Sequence, residues 1–256
     1  MKVTILGCGA AGGVPMISSG WGRCDPANPK NRRRRPSALV EEQGQRILID
    51  TSPDLREQLL SIDTNHLDAV LFTHAHADHL HGIDDLREVN RAMKAPIPVY
   101  GSSETLADIS LRFDYVFKPL DLTKDTIYKP WLIPNAVEDG PFTAAGLEMT
   151  AFEQDHGYSR TTGFRIGKMA YSTDLTELPE ASMEQLGGLD LWIVGCLLDL
   201  PHPTHAHIDK ALAWRDRLKP RHMVITHMSP RLDYETLAKS LPQGVEPGYD
   251  GMVLTL

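Results

Sequence analysis

Short apolar runs, broken by glycine, proline, aspartate and asparagine, recur along this chain with two different periods. Alternating or continuous runs of Val, Ile and Leu predict strands over 3–6, 38–42, 46–49, 69–72, 99–100, 147–152, 163–166, 169–172, 191–194, 222–225 and 252–254. Apolar positions three and four apart predict helices over 54–62, 80–93, 103–114, 182–186, 208–218 and 234–240. Strands outnumber helices, hairpins stand beside strand–helix alternation, and both halves of the chain carry strands. That pattern predicts an α/β chain of two packed sheets with helices outside rather than one doubly wound sheet. No fixed-period repeat is present. Segments 20–36 and 118–140, rich in Pro, Asp and Asn, read as long loops, which in a compact domain are usually functional or mobile.

Composition narrows the class. A chain of 256 residues, 41% hydrophobic and 23% charged, has enough apolar side chains for one large core and falls outside the collagen-like, coiled-coil and disordered classes. A net charge of −8 works against a long non-specific nucleic-acid contact, so only a local basic patch is expected to hold phosphate. Three scattered cysteines, Cys8, Cys24 and Cys196, with no C-x-x-C pair, argue against a disulfide scaffold and fit a reducing cytoplasm. No apolar run approaches the ~20 residues of a membrane span. The N-terminal Val3 to Leu6 run, followed by glycines, reads as a first strand and not as a secretory signal.

Gly7, Gly9 and Gly12 spell G-x-G-x-x-G after that strand. A dinucleotide fingerprint must open a helix, and here Val14-Pro15-Met16-Ile17-Ser18-Ser19-Gly20 has no amphipathic period, so the cofactor reading fails. The dense signal is Thr73-His74-Ala75-His76-Ala77-Asp78-His79, directly after a predicted strand. So many imidazole and carboxylate groups at one strand exit suit Zn, Mn, Fe or Ni. His81, further on, reads as a helix-face residue. His156, Asp174 and His227 each stand alone at the exit of another predicted strand, where a single polar residue by itself is more often a plain loop residue.

Together these residues carry a resemblance. H-x-H-x-D-H with a later His, a strand-end Asp and a final T-H resembles the metallo-β-lactamase-fold hydrolases over essentially the whole chain, 1–256, as one domain. Within that superfamily the chain is similar to the cyclic-phosphate phosphodiesterases of the carbon–phosphorus lyase pathway and, more remotely, to tRNase Z. The nearer similarity rests on G-x-G-x-x-G-G-V-P from Gly7 to Pro15, Arg32-Arg33, P-V-Y-G from Pro98, His202-Pro203 and G-Y-D-G-M from Gly248.

The resemblance implies an αβ/βα sandwich of two mixed sheets and two divalent transition-metal ions, zinc or manganese first among the candidates. It places His74, His76 and His156 on one metal, Asp78, His79 and His227 on the other, and Asp174 between both. Asp50 would orient a ligand imidazole from behind, although a helix N-cap ahead of Pro53 explains it equally well. It also implies a histidine twenty-two residues before the last metal histidine, placed to protonate a leaving oxygen. Counting back from His227 gives His205, with His202 and His207 beside it. Relatives hold a further zinc with three cysteines and a histidine; this chain has Cys24 alone, and Pro230 at the histidine's place, so that site is expected to be absent.

Arg32-Arg33-Arg34-Arg35 followed by Pro36-Ser37 is the dense basic patch. It reads either as a solvated loop or as a phosphate contact through Arg32, Arg33 and Ser37, since guanidinium suits bidentate phosphate recognition. Arg87 is a second candidate, with pairing to Asp84 as its plain alternative. The expected activity is two-metal hydrolysis of a small cyclic or nucleotide-like phosphate diester by a hydroxide held between the metals, with His205 and Asp78 as catalytic groups. A lactone or thioester hydrolase, and a binder that uses the metals only to hold a ligand, are the alternatives. A small phosphate-ester or nucleotide-like substrate is the expected partner, with no membrane and no long nucleic acid, and a homodimer is left open.

Overall fold

The computed structural model describes residues 1–121, 123 and 126–256. The chain begins with β1 (Lys2–Gly7), β2 (Ser37–Glu42), β3 (Gln45–Ile49), α1 (Leu55–Ser61), β4 (Ala69–Leu71), α2 (Ala77–Leu80), α3 (Leu86–Met93), β5 (Ile97–Gly101) and α4 (Ser103–Arg112). It continues through β6 (Leu132–Ala136), β7 (Gly140–Ala144), β8 (Leu147–Asp155), β9 (Arg160–Ile166), β10 (Met169–Ser172) and α5 (Glu180–Gln185). The last elements are β11 (Leu191–Gly195), α6 (Ile208–Leu218), β12 (His222–Thr226), α7 (Tyr234–Ser240), β13 (Val245–Pro247) and β14 (Val253–Thr255).

Among the described residues the strands form two sheets of seven, ordered β14-β1-β2-β3-β4-β5-β6 and β13-β12-β11-β10-β9-β8-β7. Both are mixed: the hairpin β2–β3 adjoins the parallel set β3-β4-β5-β6, and the hairpin β7–β8 is joined through antiparallel β9 to the parallel set β10-β11-β12-β13. The two hairpins close on residue pairs with positive φ, Gln43-Gly44 and Ala145-Gly146, the backbone that matches the twist of paired strands.

The sheets pack face to face. Ile5, Val40, Ile47 and Ile49 of the first meet Met149, Phe164, Tyr171, Ile193 and Val224 of the second in one buried cluster. The other face of the first sheet places Leu39, Leu48, Val70 and Phe72 against Leu55, Leu59, Leu86 and Ile109 of the helices. Because both faces are covered, Ile47-Leu48-Ile49 of β3 and all of β4 read as unbroken apolar runs rather than alternating ones. No helix among the described residues is long and apolar enough to cross a membrane.

Local pattern misplaces four features, one of them the edge strand β7 (Gly140–Ala144), which no expected run covers. The helix expected over 80–93 is realised only as α3 from Leu86; α2 ends at Leu80, and a 3-10 turn at Ile83–Asp85 lies between them. Gly82 makes the break: its amide donates to Thr51 O, and a Cβ there would stand 2.0 Å from Ser52 O. The segment 118–140, expected as loop, contains β6, whose Pro134 and Asn135 hide an edge strand held by pairing with β5. β13, three residues ending in Pro247, is likewise defined by its partner β12.

Candidate metal centre

β3 and β4 are parallel, as are β10, β11 and β12, and β8 runs in the direction of β10 because both are antiparallel to β9. Their carboxyl ends therefore open at one rim of the sandwich. Asp50 follows β3, the segment 73–79 follows β4, His156 follows β8, Asp174 follows β10 and His227 follows β12. Asp50, Asp174 and His227 have left-handed backbone, with φ of 61°, 51° and 57°. Such a conformation costs a non-glycine residue about 1 kcal/mol or more and is concentrated at functional sites. Here it turns the chain sharply as the strand ends.

The structure draws the seven residues of the expected ligand set into two groups that share Asp174. The donor atoms of His74, His76, His156 and Asp174 all lie within 4.8 Å of one another, as do those of Asp78, His79, Asp174 and His227. Asp174 divides its oxygens between them. Its Oδ2 is 3.6 Å from His74 Nε2 and 3.8 Å from His156 Nε2, while Oδ1 is 3.2 Å from His79 Nε2 and 3.1 Å from His227 Nε2. Asp78 Oδ2 lies 3.3 Å from both His79 Nε2 and His227 Nε2. Of the seven residues only His76 is exposed.

Hydrogen bonds behind the imidazoles aim their Nε2 atoms inward. His79 Nδ1 donates to Asp50 Oδ2 at 2.7 Å, and Asp50 also accepts from the amide and hydroxyl of Thr73, both at 2.8 Å. The N-cap of α1 is Asp54, so Asp50 serves the histidine and not the helix. With its proton given to Asp50, the Thr73 hydroxyl accepts from His74 Nδ1 at 3.0 Å. His156 Nδ1 donates to Thr204 O at 2.6 Å. Thr73 and Thr204 escape a sequence reading because a threonine beside a histidine carries no distinguishing spacing.

Burial and the neighbouring His79 push His74 well below the ordinary histidine value, and burial likewise lowers His156, so both present a neutral lone pair. Burial alone would raise Asp78 and Asp174, yet His79 and His227 outweigh it and hold both carboxylates in their charged form. Burial also opposes charge on His79, but Asp174, Asp78 and Asp50 push it well above the ordinary value. His74 Nε2 and His79 Nε2 are buried without a hydrogen-bond partner. Unpaired buried nitrogens beside ionised carboxylates are costly, and a divalent cation would satisfy both. The residues present fit such an ion.

The other expected site residues divide. His205 stands at the centre, its Nε2 3.3 Å from Asp174 Oδ2 and its ring stacked on His227 at 5.0 Å. His207 caps α6, and His81 is exposed with its ring against Phe113. Arg87 pairs with Glu88 rather than Asp84 and reaches Tyr128 O. Arg32 is exposed, its guanidinium 5.2 Å from the Trp21 ring centroid.

Arg33 and Ser37 do not form a phosphate patch. The Ser37 hydroxyl is buried and bonded to Ile49 O and Asp50 O. Arg33, 2% exposed, donates to Ser229 O, Leu232 O and Asn31 Oδ1. Arg34 pairs with Asp250 and Arg35 with Asp54, so the run is no solvated loop either. The glycines after β1 explain the difference. A Cβ at Gly7 would stand 2.0 Å from Arg35 O and one at Gly9 2.9 Å from Arg34 O, so G-x-G-x-x-G here admits the arginine backbone. Cys24 is buried with its Sγ against Pro230 O, Leu232 O and Arg33 Nη1, outside both donor groups.

Arg33→Met would leave those three acceptors without their cation. It is expected to lower the unfolding free energy by about 3 kcal/mol, since each orphaned buried acceptor costs roughly 1–3 kcal/mol and partial relaxation recovers some of it. Urea unfolding checks this; a change within about 0.5 kcal/mol, typical of surface substitutions, would refute the pinning role.

Residues 45–228 match the family described as the β-lactamase superfamily domain. The crystal structure of a diphosphatase from the PhnP family superposes with a TM-score of 0.90 at 34% identity, covering 99% of this chain and 96% of that one. The octanoyltransferase of Porphyromonas gingivalis W83 is 32% identical over 255 residues, 98% of this chain and 51% of that protein, so the chain spans about half its length. Coenzyme PQQ synthesis protein B of Methylorubrum extorquens PA1 is 33% identical over 252 residues, 84% of this chain and 79% of that protein.

Proposed function

Because this chain belongs to the β-lactamase superfamily and has the metallo-β-lactamase fold, we propose that it is a two-metal hydrolase of a small cyclic or nucleotide-like phosphate diester. The carrying observation is Asp174, which faces three imidazole nitrogens with Oδ2, His205 among them, and two with Oδ1. In this reading His74, His76 and His156 with Asp174 hold one divalent ion, and Asp78, His79 and His227 with Asp174 the other. Bound there, two ions supply Lewis-acid activation of water and neutralise phosphoryl charge.

The chain's own residues do the rest. Asp50, Thr73 and the Thr204 carbonyl keep three imidazoles aimed. His205, 16% exposed, presents Nε2 where a departing oxygen needs a proton. With Arg33 and Ser37 turned into the protein, the phosphoryl charge falls to the metals and His205. The diphosphatase of similar structure, by its name, also acts at phosphorus.

A second reading, hydrolysis of an acyl ester or thioester, is favoured by the octanoyltransferase relative, whose other half lies outside the match. One panel separates the two: a ribose 2′,3′-cyclic or 1,2-cyclic phosphate, a linear nucleotide diester, a nucleoside diphosphate, a lactone and an octanoyl thioester. Turnover of the diesters that is lost on chelation and restored by zinc or manganese is the expected result. Turnover confined to the lactone or thioester would overturn it.

A further inference from the structure

The loop between β11 and α6 is closed at its base: Leu197 N donates to Ala206 O, Ile208 N to Leu198 O, and Ser229 N to Leu197 O. Its position is thereby tied to the segment that follows His227. Inside it, Thr204 touches three histidines. Its carbonyl accepts from His156 Nδ1 at 2.6 Å, and its hydroxyl oxygen lies 2.7 Å from His205 Nδ1 and 3.2 Å from His202 Nδ1. Its amide also donates to His202 Nδ1 at 3.3 Å.

These contacts determine where the protons sit. A nitrogen that accepts the Thr204 amide presents a lone pair, so His202 Nδ1 cannot donate to the hydroxyl. Its lone pair is taken by the amide, so the Thr204 hydroxyl donates to His205 Nδ1, the nearer nitrogen at 2.7 Å. That places the proton of neutral His205 on Nε2, where it faces the Asp174 carboxylate 3.3 Å away. Gly157 lets the neighbouring loop close on this arrangement: its φ is +81°, and a Cβ there would stand 2.5 Å from Pro203 O.

We propose that Thr204 is the positioning residue that sets the tautomer and aim of His205, with His202 as the acceptor that anchors the threonine amide. The same residue holds His156 through its backbone carbonyl, so one loop position aligns a histidine of the first donor group with the histidine facing the shared carboxylate. The kinetic consequence rests on the hydrolase reading above; the tautomer does not.

Thr204→Val keeps volume, β-branching and the carbonyl but removes the hydroxyl, and Thr204→Ser restores it. In the zinc-loaded protein, long-range 1H–15N correlation spectra should show His205 protonated at Nε2, its signals assigned by their loss in His205→Gln. Thr204→Val should lose that signature while keeping its zinc, and Thr204→Ser should retain it. On a diester with an alkoxide leaving group, Thr204→Val should lower kcat by about 10- to 100-fold, the range for residues that orient metal-site imidazoles, with KM little changed. A nitrophenyl diester should be affected less, and Thr204→Ser should rescue both. His205 protonated at Nδ1 in the parent, an unchanged tautomer in Thr204→Val, or loss of an ion from that variant would each overturn the assignment. If no phosphate ester is turned over, the function proposed above fails while the spectra still decide the tautomer.

Discussion

Asp174→Asn is expected to bring hydrolysis to background and to weaken both ions together. Its carboxylate is within 3.1–3.8 Å of the Nε2 atoms of His227, His79, His74 and His156, two for each oxygen, so it carries the compensating negative charge for both groups. Asparagine keeps the shape and tolerates the left-handed backbone that Asp174 adopts, whereas alanine at φ of 51° adds strain to the loss of charge. Residues that merely orient a metal ligand typically contribute 10- to 100-fold, so a shared ligand should exceed about 100-fold in both affinity and turnover. Elemental analysis and a substrate assay on Asp174→Asn, with thermal melting to confirm folding, check this. A variant that keeps two ions and full activity would remove the shared-carboxylate role.

His205→Ala is expected to produce a loss that depends on what departs. General acid catalysis typically contributes ~10²–10⁴-fold, and the contribution shrinks when the leaving group needs no proton. Hydrolysis of a diester with a ribose-like alkoxide leaving group should fall by about that factor, and that of a nitrophenyl diester much less. Metal content should be unchanged, because His205 contacts Asp174 from outside the two donor groups. Equal losses on both substrates would instead assign His205 to holding phosphoryl oxygen. His202→Ala, which removes a ring that touches both Thr204 and His205, should cost less; His207→Ala, at the cap of α6, should cost little.

The two kinds of residue in this site differ in how far their surroundings lie along the chain. His74, His76, Asp78 and His79 fall within six residues, directly after a strand whose apolar run is itself local, so their meeting follows from short-range geometry. His156, Asp174 and His227 are each unremarkable alone. They became a group in the sequence only through resemblance to a family pattern, and in space through strands whose carboxyl ends share one rim. The two-sheet architecture was readable for a related reason: runs such as Ile47-Leu48-Ile49 are apolar at every position only when both faces are covered.

The arginine run went the other way. Its composition suggested solvent or phosphate, while its actual partners, Ser229, Leu232, Asp250 and Asp54, lie 19 to 216 positions away. Nothing local to residues 32–35 encodes that Arg33 is buried, because the decision is made by the glycine loop after β1 admitting their backbone. β6, β7 and β13 were missed on the same grounds, as edge strands whose identity comes from a neighbour's hydrogen bonds. Periodicity and dense polar clusters are properties of adjacent residues and are present in the chain before it folds. Which cation is buried, and which threonine holds which imidazole, depends on segments that become neighbours only when the sheets close, because hydrogen bonding and desolvation act across space and not along the chain.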